Sequence, residues 1–200
     1  RELLVALKDK KEEMNNKIIY DLGANNGDDI PYYLQKADKV VAVEANPVLC
    51  DEIRSRFEAE IESGKLFLEN YVVTTSGSAA PKVKFYISKG NHVESQFPKP
   101  INIHDFEEVT LPSKAILDLI REYGDPHYVK IDIEHYDAEI LKELFSNGVS
   151  PPYISAESHD AMIFAIMVAA GLNAFKLVEG ISVSEKYKNH DIKGTKKYSF

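Results

Sequence analysis

Cysteine, positive charge and long apolar runs are all scarce in this sequence. Cys50 is the only cysteine among 200 residues, so no disulfide can form within the chain. Acidic residues number 32 against 24 basic ones, and the net charge of −8 argues against a broad surface for nucleic acid or anionic lipid. The longest apolar run, residues 161–172, is too short to span a bilayer. We therefore expect no nucleic-acid or membrane partner and a cytoplasmic location.

The rest of the composition is that of a globular domain. Hydrophobic residues make up 44% of the chain and charged residues 28%, which allows a sizeable core. No internal repeat or linker divides the sequence. We expect one domain over residues 1–200, with a charged amphipathic helix over residues 1–16, a core over 17–160, and a helix and strand within 161–200.

Strand patterns alternate with helical patterns along the chain. The strand patterns cover residues 18–21, 39–44, 66–74 with a break near Asn70, 83–88, 109–112, 128–134, 153–157 and 174–179. The helical patterns cover residues 1–16, 30–36, 47–62, 114–123 after a Ser113 cap, 137–147 and 161–170. Residues 89–108 are predicted to be a long loop. The alternation predicts an α/β fold with a mostly parallel central sheet and helices on both faces.

A glycine-containing loop follows the first buried strand. Gly23 and Gly27 let the backbone turn sharply and lie close to a ligand. Such a loop directs free backbone N–H groups towards whatever lies above the strand end. A tight strand-to-helix turn without a ligand is the alternative interpretation.

Acidic residues recur where the predicted strands end. Asp21 follows the first strand, Glu44 the second, Asp132 and Glu134 the fourth main strand, and Glu157 the fifth. Because parallel strands end at the same edge of a sheet, we expect these carboxylates to share a cleft.

Glu44 and Asp21 suit different parts of one ligand: Glu44 suits a ribose and Asp21 suits a cationic group. Glu44 lies 21 residues after Gly23, where nucleotide-binding sheets place the carboxylate that accepts hydrogen bonds from a ribose. A glutamate favoured by the dipole of the following helix is the alternative. The loop lacks a third glycine, and the charge of Asp21 suits the cationic S-adenosylmethionine better than the pyrophosphate of NAD.

The ordered motifs resemble those of FkbM-type methyltransferases over about residues 17–160. The segments concerned are residues 21–27 (DLGANNG), 43–47 (VEANP), 109–112 (VTLP), 130–134 (KIDIE) and 154–157 (ISAE). The resemblance implies a class I Rossmann-like fold, S-adenosylmethionine as the cofactor, and O-methylation of a hydroxyl on a small molecule or sugar. It places cofactor contacts at Asp21, Gly23, Asn25, Gly27 and Glu44, and further ones at Asn70 and Ser95.

The sequence departs from the family pattern after the fourth main strand. The family usually has Lys-x-Asp-x-Glu-Gly-x-Glu, whereas His135 stands here in place of the glycine and Asp137 in place of the last glutamate. The acceptor pocket implied by the resemblance is therefore expected to differ here.

Three residues of this motif are candidates for the base that activates an acceptor hydroxyl. Asp132 and Glu134 have the same side-chain parity on a strand, and His135 is of the residue type that most often serves as a general base. A buried ion network of the acids with Lys130 is the alternative.

Two other functions are compatible with the same sheet. They are an NAD-linked oxidoreductase and a non-catalytic relative that binds a nucleotide or protein through residues 89–108. A divalent metal could use Glu134, His135, Glu157, His159 and Asp160, although we expect none to be required.

Overall fold

The computed structural model describes residues 2–7, 16–158 and 161–179. These residues contain ten strands: β1 (Glu2–Leu7), β2 (Ile18–Leu22), β3 (Lys39–Val43), β4 (Leu66–Glu69), β5 (Val72–Thr74), β6 (Lys82–Ser88), β7 (Phe106–Ala115), β8 (Tyr128–Ile131), β9 (Tyr153–Glu157) and β10 (Ala174–Glu179). They also contain six α-helices: α1 (Ile30–Lys36), α2 (Pro47–Arg56), α3 (Glu58–Glu62), α4 (Ile116–Tyr123), α5 (Asp137–Ser146) and α6 (Ala161–Ala169). Within this part of the chain, every helix falls short of the length and apolarity that a membrane crossing needs.

The larger sheet has the strand order β10-β1-β9-β8-β2-β3-β4. Strands β9, β8, β2, β3 and β4 are parallel, whereas β1 runs antiparallel to both of its neighbours. The chain proceeds outwards from β2 to β4 on one side and from β8 to β9 on the other. The strand order therefore reverses between β2 and β8, which is where open α/β sheets bind ligands. The predicted α/β fold with a mostly parallel sheet is confirmed.

Helices cover both faces of this sheet because its strands are apolar on both sides. Tyr20 and Leu22 of β2 pack into one core cluster, with buried residues of α4, α5 and α6. Ile19, between them, packs into a second cluster with residues of α1 and α2. Alternate side chains of a strand point to opposite faces, so β2 contributes to both cores.

A second, three-stranded sheet has the order β5-β7-β6. Strand β7 pairs in parallel with β5 and antiparallel with β6. Val72, Phe85 and Leu111 form its small apolar core. The predicted break near Asn70 is confirmed, because β4 and β5 belong to different sheets. The predicted strand over residues 83–88 is also confirmed, although it lies in this second sheet.

The predicted N-terminal helix is wrong over residues 2–7. These residues form β1, whose backbone pairs with β9 on one side and β10 on the other. Both partners lie about 150 residues or more further along the chain, so local periodicity carries no sign of them. Residue 1 and residues 8–15 of the predicted helix lie outside the described residues.

Three element boundaries also differ from the sequence prediction. Ser113 does not cap α4 but lies within β7, where its hydroxyl donates a hydrogen bond to the carbonyl of Ala80. Strand β7 begins at Phe106, so the predicted loop is shorter. Strand β8 ends at Ile131, and both Glu134 (φ +47°) and His135 (φ +66°) have left-handed backbones. The strand parity assumed for Asp132 and Glu134 is therefore wrong.

Candidate active site

The glycine loop after β2 is shaped by close packing. A Cβ atom at Gly23 (φ +85°) would lie 2.0 Å from the carbonyl oxygen of Asp132. A Cβ atom at Gly27 (φ +79°) would lie 2.9 Å from the side chain of Ile53. Any residue larger than glycine would therefore force the loop away from β8 at Gly23 or from α2 at Gly27.

Glu44 connects this loop to the end of β3. Its Oε2 accepts a hydrogen bond from the backbone N–H of Asn25 at 2.7 Å, and its Oε1 accepts one from the N–H of Asn46 at 2.8 Å. The residue is only 7% exposed. Burial raises the pKa of Glu44 to about 7, although the two backbone hydrogen bonds oppose the shift. Glu44 is thus a buried acid held in a fixed orientation.

A cavity of about 80 Å³ lies above the carboxyl ends of β2, β3 and β8. Six of the residues expected at the site line it: Gly23, Asn25, Glu44, Ser95, Asp132 and Glu134. The expected shared cleft therefore contains the carboxylates of Glu44, Asp132 and Glu134.

The structure places four other expected site residues outside this cavity. Asp21 is fully buried beneath the loop, next to Lys130. Gly27 packs against α2, and the Asn70 amide donates to the carbonyls of Glu44 at 2.8 Å and Ala45 at 3.1 Å. The expectation that Asp21 faces the cleft is wrong, because its carboxylate is buried and its Oδ1 accepts a hydrogen bond from Lys130. His135, the fourth, lines a separate groove described below.

Lys130 is the centre of a buried ion network. Its Nζ lies 3.2 Å from Asp21, 3.5 Å from Asp132 and 3.7 Å from Asp29, and it donates a hydrogen bond to the carbonyl of Gly23 at 3.3 Å. Burial lowers the pKa of Lys130, but the surrounding carboxylates outweigh this effect, and the net shift is upwards. Lys130 therefore remains protonated and ties β2, the loop and Asp132 together. The ion network with Lys130, which the sequence analysis gave as the alternative to a catalytic base, is therefore present and includes Asp132.

Carboxylates crowd the ends of β8 and β9. Asp132, Glu134 and Glu157 each offer an oxygen, and these oxygens lie within 4.8 Å of one another. His135 is not in this group, and His159 and Asp160 lie outside the described residues. Burial, together with Asp132 and Glu157, raises the pKa of nearby Asp137 to about 7. The site is therefore strongly acidic on this side.

Aromatic residues that no sequence motif indicated complete the cavity. Tyr71, Phe97 and Tyr136 line it. The rings of Phe97 and Tyr136 meet edge to face with centroids 5.0 Å apart, and the hydroxyls of Tyr136 and Thr75 are 3.1 Å apart. These residues come from distant parts of the chain, so a local pattern could not have found them.

Two buried polar atoms of residues that line the cavity have no hydrogen-bond partner among the described residues. They are the Oδ1 of Asn25 and the hydroxyl of Tyr71. An unpaired buried acceptor costs about 1–3 kcal/mol, which a donor on a bound molecule would recover. Asn25 (φ +51°) points this amide from the same loop whose backbone N–H binds Glu44.

Comparisons with known proteins give one family and a distant structural neighbour. The model of the methyltransferase FkbM domain matches residues 21–169. A solved structure of methyltransferase FkbM from Methylobacillus flagellatus KT is 13% identical, with a TM-score of 0.42. The alignment covers 66% of this chain but only 29% of that chain. No curated protein matches the chain. Since the family model spans well over half of the sequence, the chain belongs to the FkbM methyltransferase domain family.

Proposed function

We propose that this domain is an S-adenosylmethionine-dependent methyltransferase that methylates a hydroxyl of a small molecule or sugar. The observation that carries the proposal is the placement of Glu44. This buried carboxylate ends β3 beside the point where the strand order reverses, and the glycine loop and the adjoining α2 end both bind it. Membership of the FkbM domain family agrees with this chemistry.

The residues around the cavity fit the polar groups of an adenosylated cofactor. Each Glu44 oxygen accepts one backbone hydrogen bond and has a second lone pair, so the pair of oxygens suits the two hydroxyls of a ribose. Asn25 offers its Oδ1 to a donor. The cavity of about 80 Å³ is smaller than the roughly 300–1,000 Å³ of ligand pockets. Cofactor binding therefore requires side chains that line the cavity to move outwards.

The chain's own acids and histidine would orient and deprotonate the acceptor. S-adenosylmethionine, when bound, supplies an electrophilic methyl group on its sulfonium. Asp132 and Glu134 line the cavity, and His135 follows them on the same turn. Because a hydroxyl is a weak nucleophile at neutral pH, a base next to it contributes about 10²–10⁴-fold. Lys130 holds Asp132 in place at 3.5 Å, so we propose Asp132 or His135 as this base.

Isothermal titration calorimetry with S-adenosylmethionine, S-adenosylhomocysteine and NAD tests the cofactor. We expect the first two to bind and NAD not to bind. Glu44→Ala should weaken binding at least about tenfold, since charge-assisted hydrogen bonds contribute about 1.5–3 kcal/mol each. Glu52→Ala, at an exposed position on α2, is the matched control and should bind normally. Tighter binding of NAD, or equal effects of the two variants, would contradict the proposal.

Transfer of tritium from labelled S-adenosylmethionine to candidate acceptors tests the activity. Asp132→Asn and His135→Ala, made separately, should each lower turnover and leave the affinity for S-adenosylhomocysteine unchanged. A protein that binds the cofactor but methylates no hydroxyl acceptor would instead be a non-catalytic relative.

A further inference from the structure

A groove lies behind one wall of the cavity. Along residues 93–98, side chains alternate between the two spaces: Val93, Ser95 and Phe97 line the cavity, whereas Glu94, Gln96 and Pro98 line the groove. Gln96 and Tyr86 exchange two backbone hydrogen bonds of 2.9 and 3.0 Å. The wall is therefore held against β6 at Gln96, after the 3-10 helix His92–Glu94.

The groove reaches the candidate active site through His135. Its other lining residues come from residues 88–106, whereas His135 comes from the turn after β8. The neighbours of His135, Glu134 and Tyr136, line the cavity. The groove has a volume of about 720 Å³, within the roughly 300–1,000 Å³ of small-molecule sites. A molecule lying in it would have one end beside the acids of the cavity.

The charges along the groove balance. Two lysines, Lys89 and Lys99, and two acids, Glu94 and Asp105, line it, and the ammonium of Lys89 donates to the carbonyl of His104 at 3.0 Å. Neither a phosphate nor a cationic group would gain a net electrostatic advantage here. A neutral ligand that exchanges many hydrogen bonds fits this lining better.

The rim combines apolar and polar groups. Ile101 is fully exposed, at 102%, which is unusual for a large aliphatic side chain. Asn102 is also exposed, and its side chain makes no capping hydrogen bond to the turn that follows. The exposed Pro98 adds further apolar surface. Apolar side chains next to the exposed amide of Asn102 suit the C–H faces and hydroxyls of a sugar ring.

We propose that this groove binds the acceptor, and that the acceptor is a neutral sugar or similar polyhydroxylated molecule. Its reactive hydroxyl would pass His135 to reach the cavity. The inference rests on the proposed methyltransferase function for its meaning, but sugar binding in the groove can be measured without methyl transfer.

Amide chemical shifts of the ¹⁵N-labelled protein, with and without S-adenosylhomocysteine, provide the test. The probes are maltose, lactose and chitobiose as neutral sugars, with glucose 6-phosphate and 1,6-hexanediol as the charged and the aliphatic comparison. At about 10 mM, ten times a millimolar Kd, we expect at least one neutral sugar to shift amides of residues 88–106 and 135. Neither comparison probe should do so.

Ile101→Ser and Asn102→Ala should each weaken sugar binding by about tenfold, which corresponds to about 1.4 kcal/mol. Val168→Ser, which removes an exposed aliphatic side chain from α6, is the matched control and should leave binding unchanged. The inference is overturned if no neutral sugar shifts the groove amides, if glucose 6-phosphate or hexanediol binds there more tightly, or if the control weakens binding equally. If the protein does not bind S-adenosylhomocysteine, the methyltransferase proposal is refuted. The sugar titrations made without S-adenosylhomocysteine still test the groove independently.

Discussion

Glu44 is the ionisable residue that we expect to bind the ribose in the candidate cofactor site. It is almost completely buried, and burial raises its pKa to about 7. Near neutral pH the free protein therefore contains both protonated and ionised Glu44. Hydrogen-bond donors from a ribose favour the ionised form and lower the pKa in the complex.

Affinity for S-adenosylhomocysteine should therefore depend on pH. We expect the Kd to fall by up to about tenfold per unit as the pH rises towards 7 and to level off above that value, because ligand binding then no longer requires a proton to leave Glu44. Calorimetry between pH 6 and 9 measures this. In Glu44→Gln, which cannot ionise, the dependence should disappear. A slope that survives in this variant would assign the titration to another group.

His135 occupies a backbone conformation that suits glycine. Its φ of +66°, following Glu134 at +47°, places two side-chain-bearing residues in the left-handed region. This conformation costs about 1–2 kcal/mol for a residue with a Cβ atom. The family pattern has glycine here, and the histidine therefore retains its imidazole at an energetic cost.

His135→Gly and His135→Ala should separate the backbone from the imidazole. Both variants lose the imidazole, but only glycine, which has no Cβ atom, relieves the left-handed strain. We expect His135→Gly to unfold in urea with a free energy about 1 kcal/mol higher than that of His135→Ala. Both should show low methyl transfer. Equal stabilities would show that the turn stores no strain at this residue.

At the scale of elements, Lys130 fastens the two strands that flank the switch point. Asp21 belongs to β2 and Lys130 to β8, and their side chains meet at 3.2 Å beneath the glycine loop. Removing one partner of a buried ion pair leaves an uncompensated charge, whereas removing both is far less costly.

Lys130→Met should lower the free energy of unfolding by about 3–5 kcal/mol. Asp21→Asn added to it should restore a large part of that loss, because the stranded carboxylate is then gone. Chemical denaturation of the two single variants and the double variant gives the coupling. Strictly additive losses would mean that Lys130 and Asp21 act independently.

Element boundaries followed the sequence where local chemistry decides them. Asn46 accepts a hydrogen bond from the N–H of Val48 at 3.1 Å, and α2 begins at Pro47, where the predicted helical pattern begins. Ser113 does not cap α4, because its hydroxyl donates a hydrogen bond to the carbonyl of Ala80, 33 residues away. Tertiary contacts of this kind are not visible in a sequence window.

At the scale of the whole molecule, β1 joins the beginning of the chain to its later strands. Val5 is paired with Ser155 of β9 on one side and Lys176 of β10 on the other. Among the described strands, β1 is the one that pairs with β10 and so connects it to the sheet.

Val5→Pro should therefore destabilise the protein and Val5→Ala much less. Proline removes a ladder hydrogen bond in a strand that is paired on both sides, and the carbonyl left without a donor costs about 1–3 kcal/mol. We expect hydrogen exchange to accelerate first at the amides of β10 and then of β9. Unchanged protection of both strands would contradict the pairing of β1.

The site was predictable as far as it depends on strand ends. Glu44, Asp132 and Gly23 line one cavity because parallel strands finish at the same edge. Tyr71 and Tyr136 were not found, since nothing local distinguishes a tyrosine that lines a cavity from one in the core. Asp21 was misjudged because the sequence does not show that Lys130 reaches it.

The alternating wall over residues 93–98 has an evolutionary consequence. The odd-numbered residues line the cavity and the even-numbered residues line the groove. Substitutions at 94, 96 and 98 can therefore change what the groove recognises while the residues that line the cavity stay the same. A short stretch of chain thus allows selection to act on two specificities separately.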